Sequence, residues 1–314
     1  MSPARAPAEP IRERLSNPFA RYLLATRPAF LTITLAGCLL GMSTALVGGA
    51  VFGWERALAT LLLAALAHAG INVLNDYCDH INGSDAHNTQ RIYPFTGGSR
   101  FIQNGVLTPR QTLGFAAALF AVAITGGLWL VSVAGAGLAG IGLAGLAIGW
   151  AYSAPPLKLN SRGLGELCVA TGFLLVVAGA DFVQRGALAE LPWLAGAPYA
   201  LLVTNVLYLN QFPDRTADRA SRKLHWVARL SPQAAARGYG VILLLAGLAL
   251  LGGILQGALP RAAAAAFLAW LPAVLAWRQL LRFAATPGHL APAIRLTLLA
   301  AHVQPLLLAA ILLL

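Results

Sequence analysis

What most constrains this chain is a recurrence of apolar runs with no water-facing side. Stretches such as "ALATLLLAALAHAGI" (57–71) and "LFAVAITGGLWLV" (119–131) carry no charged residue over several helical turns. A helix that crosses a bilayer needs about 20 mostly apolar residues. Nine segments qualify, at approximately 29–51, 57–80, 111–131, 134–152, 164–184, 195–212, 233–256, 261–281 and 292–313. Only "SVAGAG" separates the third from the fourth, which predicts a tight hairpin.

Composition agrees. Soluble domains carry about a quarter charged residues; this chain has 11%, with 58% hydrophobic. In a soluble protein the net charge of +11 would suggest nucleic acid. The apolar runs decide against that partner, and the basic residues read instead as topology signals or ligands for anions and lipid headgroups. With the N-terminus in the cytoplasm, Arg56, Arg185 and Arg261 fall outside, and the other 19 of the 22 Lys and Arg fall inside. That asymmetry predicts an all-α membrane protein with nine transmembrane helices, a cytoplasmic N-terminus and an outer C-terminus. Residues 1–27 are expected to form a polar tail and a surface helix, not a signal peptide, and 28–314 a single transmembrane domain. The glycines of "AGAGLAGIGLAGLAIG" are expected at helix contacts. The three cysteines lie far apart with no CxxC spacing, so neither a zinc site nor a disulfide framework is indicated.

Two polar segments stand out against this background. "NVLNDYCDHINGSD" (72–85) closes the second apolar run and holds Asp76, Asp79 and Asp85, three of the chain's 11 acids. Asn72, Asp76 and Asp79 recur at helical spacing on one face. "YLNQFPDRTADRASRKLHW" (208–226) repeats the design with Asn210, Asp214 and Asp218. Taken alone, the first segment has a lesser reading as a polar helix end and the second as a solvated loop. Two matched acidic faces on one side of the membrane point instead to function, because carboxylates aimed the same way repel unless a cation joins them. Oxygen-only ligands suit Mg²⁺, which often bridges carboxylate to substrate phosphate. Arg215, Arg219, Arg222 and Lys223 crowd the second loop, and a metal-bound diphosphate fits that mixture better than a bare cation. A calcium loop of EF-hand type fails on spacing.

These segments resemble the two aspartate-rich motifs of the UbiA superfamily of intramembrane prenyltransferases. The run Asn75, Asp76, Tyr77, Asp79, Gly83, Asp85 is similar to the branch that prenylates dihydroxynaphthoate, as is "TGGSRFIQNGVLTPRQ" (96–111). "YSAPPLKLNSRGLGE" (152–166) is similar to the loop after the fourth helix in many members. The resemblance implies a nine-helix bundle around a central cavity and Mg²⁺ ions that hold a polyprenyl diphosphate between the motifs. It assigns metal binding to Asn72, Asp76, Asp79, Asn210, Asp214 and Asp218, with the four aspartates catalytic. Tyr152 and Lys158 match diphosphate contacts. Arg91, Arg100 and Lys223 are further diphosphate candidates, each also readable as a topology or headgroup residue. The second partner is an aromatic small molecule: a naphthoate-like ring is favoured, with 4-hydroxybenzoate, homogentisate or a porphyrin-type ring as alternatives. The implied location is a bacterial inner membrane, with the site facing the cytoplasm.

This chain has Asn210-Gln211 and Arg222-Lys223 where that branch has Asn-Asn and Gly-Lys. Pro213 is expected to break the helix just before Asp214. Tyr77, Phe173, Tyr208 and Trp226 are candidates to stabilise an allylic cation. His68 reads as a packing histidine, Asp181 as a helix-end residue, and Glu166 as an acid on a helix N-terminus. From a different class, a cation transporter with an internal repeat is the competing reading.

Overall fold

The computed structural model describes residues 9–314; Arg5 and the beginning of the expected tail lie outside the described residues. No strand occurs among the described residues. Short helix α1 (Pro18–Ala25) is capped by Asn17, whose side chain accepts from the backbone of Phe19, and it leads into α2 (Pro28–Val47). There follow α3 (Trp54–Asn82), the single turn α4 (Ser84–His87), α5 (Pro109–Ala134) and α6 (Gly137–Ser153). After a proline-containing loop come α7 (Gly165–Arg185) and α8 (Leu191–Ala220), then the turn α9 (Trp226–Arg229) and α10 (Pro232–Leu255). A 3₁₀ stretch (Arg261–Ala269) runs directly into α11 (Trp270–Phe283), and α12 (Ala291–Leu312) ends the chain.

A helix stands at each of the nine expected positions. Seven are long and apolar enough to cross a membrane. Of the other two, α6 has only 17 residues, and α8 carries the second acidic segment as a continuation of its apolar part. The expected break at Pro213 does not occur. The proline removes one bond, to the carbonyl of Leu209, yet α8 runs unbroken to Ala220 with Phe212 and Pro213 both buried. Packing of α8 against α10 and α12 outweighs the local preference.

The two motif helices are the longest in the protein. At 29 and 30 residues, α3 and α8 each reach about 43–45 Å, against roughly 30 Å of hydrocarbon. Each can cross and still project its acidic turns beyond the apolar slab.

The core is one-sided. The inner faces of α2, α7, α8, α10, α11 and α12 close around Tyr199, Leu209, Tyr239, Leu250, Leu280 and Leu308. Polar ties fix this half: Tyr199 donates to the Ile33 carbonyl at 2.8 Å, Asn205 to the Tyr239 carbonyl at 3.2 Å, and Tyr239 pairs with Thr297 at 2.9 Å. On the other side α3, α5 and α6 form a thinner wall, with a long cavity between the two. The α6 glycines depart from expectation. A side chain at Gly137 or Gly149 would collide with Phe182 or Ile71, but Gly140, Gly142 and Gly145 have nothing within 4 Å. Gly142 and Gly145 face the cavity, so their smallness opens space rather than closing a helix contact.

Candidate active site

The cavity has a volume of about 560 Å³. Most of its wall is apolar, from α3, α5, α6 and α7. Its polar end is built from both acidic segments. Asn72, Asn75 and Asp79 come from α3 and Asp85 from α4. Asn210, Gln211, Asp214 and Asp218 come from α8, followed by Lys223 and His225. Tyr152, Thr96, Gly97 and Gly98 complete the ring.

Two devices bind one motif to the other. The first is Lys223, whose ammonium lies 2.9 Å from Asp79 and 3.7 Å from Asp218. Burial alone would pull its pKa down; the carboxylates of Asp218 and Asp79 outweigh that and hold it above the usual lysine range. His225 sits 3.0 Å from the other oxygen of Asp218. The second device is the backbone of the Thr96–Arg100 loop. The Gly97 N–H donates to Asp214 at 3.1 Å, and two residues on the Ser99 N–H donates to both oxygens of Asp76 at 3.2 and 3.3 Å. Backbone N–H groups in such a turn form an anion-binding concavity. The turn needs glycine: Gly98 has φ +71, and a Cβ there would lie 2.9 Å from Asp85 and 3.0 Å from Asp76. The Asn88 side chain adds a 2.6 Å bond to Asp214.

Asp85 joins the group as a third acid of the first segment. Burial pushes its pKa well above the usual carboxylate range, and the charges of Asp79 and Asp76 push the same way. Among the described residues no three His, Cys, Asp or Glu side chains converge tightly enough to hold an ion alone. The Asn210 side-chain oxygen is buried without a partner. Crowded carboxylates, an orphan amide oxygen and few donors fit Mg²⁺, which takes one or two protein carboxylates and completes its shell with phosphate oxygens and water.

The other expected residues are placed as follows. Tyr152 lines the cavity. Asp76 stands just behind its wall, held by Ser99. Arg91 does not line the cavity; it pairs with Glu9 at 2.6 Å and with the Asn88 carbonyl, acting on Asp214 through Asn88. Arg100 is buried and donates to the Asp85 carbonyl at 2.5 Å, again behind the wall. Lys158 is half-buried and lies outside the lining. Of the four aromatic candidates only Phe173 faces the cavity: Tyr208 is in the core and Trp226 donates to the Gly163 carbonyl. Asp181 is a latch at the far end of the bundle, and Glu166 accepts from Gln211 at 3.1 Å. The cavity also takes Arg27, counted in the sequence only as a basic residue of the tail. Its guanidinium donates to the Phe95 carbonyl at 2.9 Å and stacks over Phe30, with Nε buried and unpaired. The one available signal was its position directly before Pro28, which opens α2.

The model of the UbiA prenyltransferase family matches residues 33–311. The chain belongs to that family. As a UbiA-family prenyltransferase it is an enzyme, which decides against the transporter reading. It is 27% identical to a 1,4-dihydroxy-2-naphthoate octaprenyltransferase of Mycobacterium leprae, over 73% of this chain and 76% of that one. It is 30% identical to the protein of that name from Escherichia coli, over 72% and 73%. In three dimensions it resembles a UbiA homologue from Aeropyrum pernix, with TM-score 0.62 and 20% identity over 88% of this chain and 95% of that one. A homologue from Archaeoglobus fulgidus bound to GPP and Mg²⁺ aligns with TM-score 0.57 and 15% identity over 91% and 99%.

Proposed function

We propose that this UbiA-family enzyme transfers a prenyl group from a polyprenyl diphosphate to an aromatic acceptor of lipoquinone synthesis, with a dihydroxynaphthoate as the favoured acceptor. The observation that carries the reading is the joining of two acidic helix ends, by Lys223 and the Gly97–Ser99 backbone, at the mouth of a long apolar cavity. A molecule that is a dianion or more at one end and hydrocarbon at the other matches that polarity. The relatives named as naphthoate octaprenyltransferases support the acceptor.

Asp79, Asp214, Asp218 and Asn210, with Asp76 and Asn72, would hold Mg²⁺, which when bound neutralises charge on the diphosphate as it leaves. Lys223 and Tyr152 stand at the same end to hold the diphosphate. The apolar wall excludes water from the allylic carbon, and Phe173 offers it a ring face. Fixing donor and acceptor in one cavity supplies much of the rate.

The same reading gives nine crossings, α6 and α8 included, one domain over 28–314, and the acidic end in the cytoplasm of a bacterial inner membrane. The test is purified protein in detergent with farnesyl or octaprenyl diphosphate, Mg²⁺ and a panel of dihydroxynaphthoate, 4-hydroxybenzoate and homogentisate. Prenylated naphthol as the main product is expected. Diphosphate release with 4-hydroxybenzoate or homogentisate alone would move the acceptor, and turnover in excess chelator would remove the metal.

A further inference from the structure

We propose that His68 is the base that takes the acceptor's hydroxyl proton as the new carbon–carbon bond forms. This rests on the aromatic-acceptor reading above and names the proton acceptor within it. His68 lies on α3 four residues before Asn72 and eight before Asp76. On a helix it therefore shares their face, about 6 Å deeper than Asn72 and about 12 Å deeper than Asp76. The diphosphate belongs at the level of the acids. The carbon it leaves lies below that level, and an acceptor ring laid against that carbon extends down the apolar wall toward His68, one turn below Asn72.

The imidazole lines the cavity, and its surroundings fix it without using it up. Nδ1 lies 2.6 Å from the Thr34 hydroxyl on α2, while Nε2 has no protein partner among the described residues. Thr34 departs from the habit of Thr60, Thr204 and Thr297, which return their hydroxyls to the carbonyl four residues back. Phe173 packs perpendicular to the ring, centroids 5.6 Å apart, and sets its plane. The 2.6 Å contact serves either tautomer. An acceptor hydroxyl that donates to Nε2 selects the form with the proton on Nδ1, which then donates to the Thr34 oxygen.

The other titratable groups do not fit the task. Asp79, Asp85, Tyr152, Asp214, Asp218, Lys223 and His225 belong to the polar end, Arg27 is a permanent cation, and Cys38 and Cys168 are buried thiols. Asp181 is held by Arg185 far away.

The step balances as follows. The acceptor O–H bond breaks and an N–H bond forms at Nε2. The ring carbon beside that oxygen gives an electron pair to C1 of the prenyl group, and the C1–O bond breaks with its pair leaving on diphosphate. The same ring carbon loses CO₂, whose bonding pair returns to the ring. The ring oxygen then recovers the proton from Nε2, and His68 is neutral again.

General bases of this kind contribute about 10²–10⁴-fold. The test uses the full chain with farnesyl diphosphate, Mg²⁺ and 1,4-dihydroxy-2-naphthoate, then naphthoates whose hydroxyls are made more acidic by ring fluorine. His68→Phe is expected to lower kcat about a hundredfold and leave the donor KM within about twofold. The deficit should shrink steadily as the acceptor becomes more acidic, because a preformed naphtholate needs no base. Imidazole added to His68→Ala should restore part of the rate. Thr34→Val, a smaller change to the fold, should show a milder deficit with the same trend. A His68→Phe rate equal to wild type, or a deficit that ignores acceptor acidity in both His68→Phe and Thr34→Val, would assign His68 to packing and overturn the proposal. If the wild-type protein prenylates no hydroxylated ring at all, the acceptor reading fails first and His68 falls with it.

Discussion

At the far end of the bundle Asp181 is ringed by donors: Arg185 reaches both its oxygens at 2.7 Å, and the Thr44 hydroxyl adds a bond at 2.8 Å. At the polar end five carboxylates, Asp76, Asp79, Asp85, Asp214 and Asp218, share one ion-paired lysine and one histidine. Asp181 in the first set and four of the five in the second are buried, and Asp214 is half-buried. The first is complete, and Arg185 also donates to the Thr44 carbonyl at 2.8 Å, so the cluster ties α7 to the end of α2. The second has more carboxylates than ion-paired cations, and a bound cation would complete it. A buried acid with all its partners is a latch, and a group of acids short of partners is a binding site.

The hardest test of that contrast is at the acids. Asp76→Ala and Asp214→Ala are each expected to lower kcat by about 10²–10³-fold while the protein stays folded in detergent. Wild-type turnover in both variants would reduce the polar end to a solvated helix terminus. Lys223→Met should come next. A charge-assisted hydrogen bond contributes about 1.5–3 kcal/mol, so roughly a tenfold or greater loss is expected, with the donor KM raised. A change confined to the acceptor KM would take Lys223 off the diphosphate.

Gly98→Ala separates position from strain. Its Cβ would stand against Asp85 and Asp76, whereas Gly105, at φ +68, has open space around it. Left-handed backbone costs a non-glycine residue about 1–2 kcal/mol at either place. A kcat loss near tenfold, about 1.4 kcal/mol, is expected for Gly98→Ala and almost none for Gly105→Ala. Equal losses would mean that the loop matters only for folding.

The other end should answer in the opposite currency, stability. Arg185→Met leaves the Asp181 charge buried and unpaired, at about 3 kcal/mol, so the unfolding midpoint should drop while turnover per folded molecule holds within about twofold. A fall in turnover without a fall in stability would tie Asp181 to the reaction.

The legible part of this protein is what hydrocarbon imposes. Apolar length and the basic residues located the helices, and acid spacing located both motifs, because an uncharged run and a buried carboxylate are each costly elsewhere. What escaped is set by tertiary contact. Pro213 carries a local signal for a break, and only the packing of α8 in the core overrides it. Arg27 resembles any other basic residue of the tail until α2 folds its guanidinium over Phe30. The Gly97–Ser99 turn acts through backbone N–H groups, which leave no trace in residue identity beyond two glycines.

Lys158 is where resemblance and structure diverge, and it carries the smallest expected effect. Its motif places it on the diphosphate. In the fold it holds φ +43 at the start of the 3₁₀ turn Leu159–Arg162, outside the cavity lining, and its ammonium has no hydrogen bond or ion pair among the described residues. Lys223, by contrast, already spans the two motifs. If charge at the site acts through contact, Lys158→Met should change donor kcat and KM by less than about twofold, since a charge outside the cavity lining and within reach of solvent is screened. Lys223→Met should lose at least several times more in the same assay. The four-carbon stem of Lys158 can swing inward, so a large donor effect there would show that the Ala154–Gly163 loop folds over the diphosphate on binding. The double variant then distinguishes the two. Independent contacts give losses that multiply, and a single shared contact gives a double variant no worse than Lys223→Met alone.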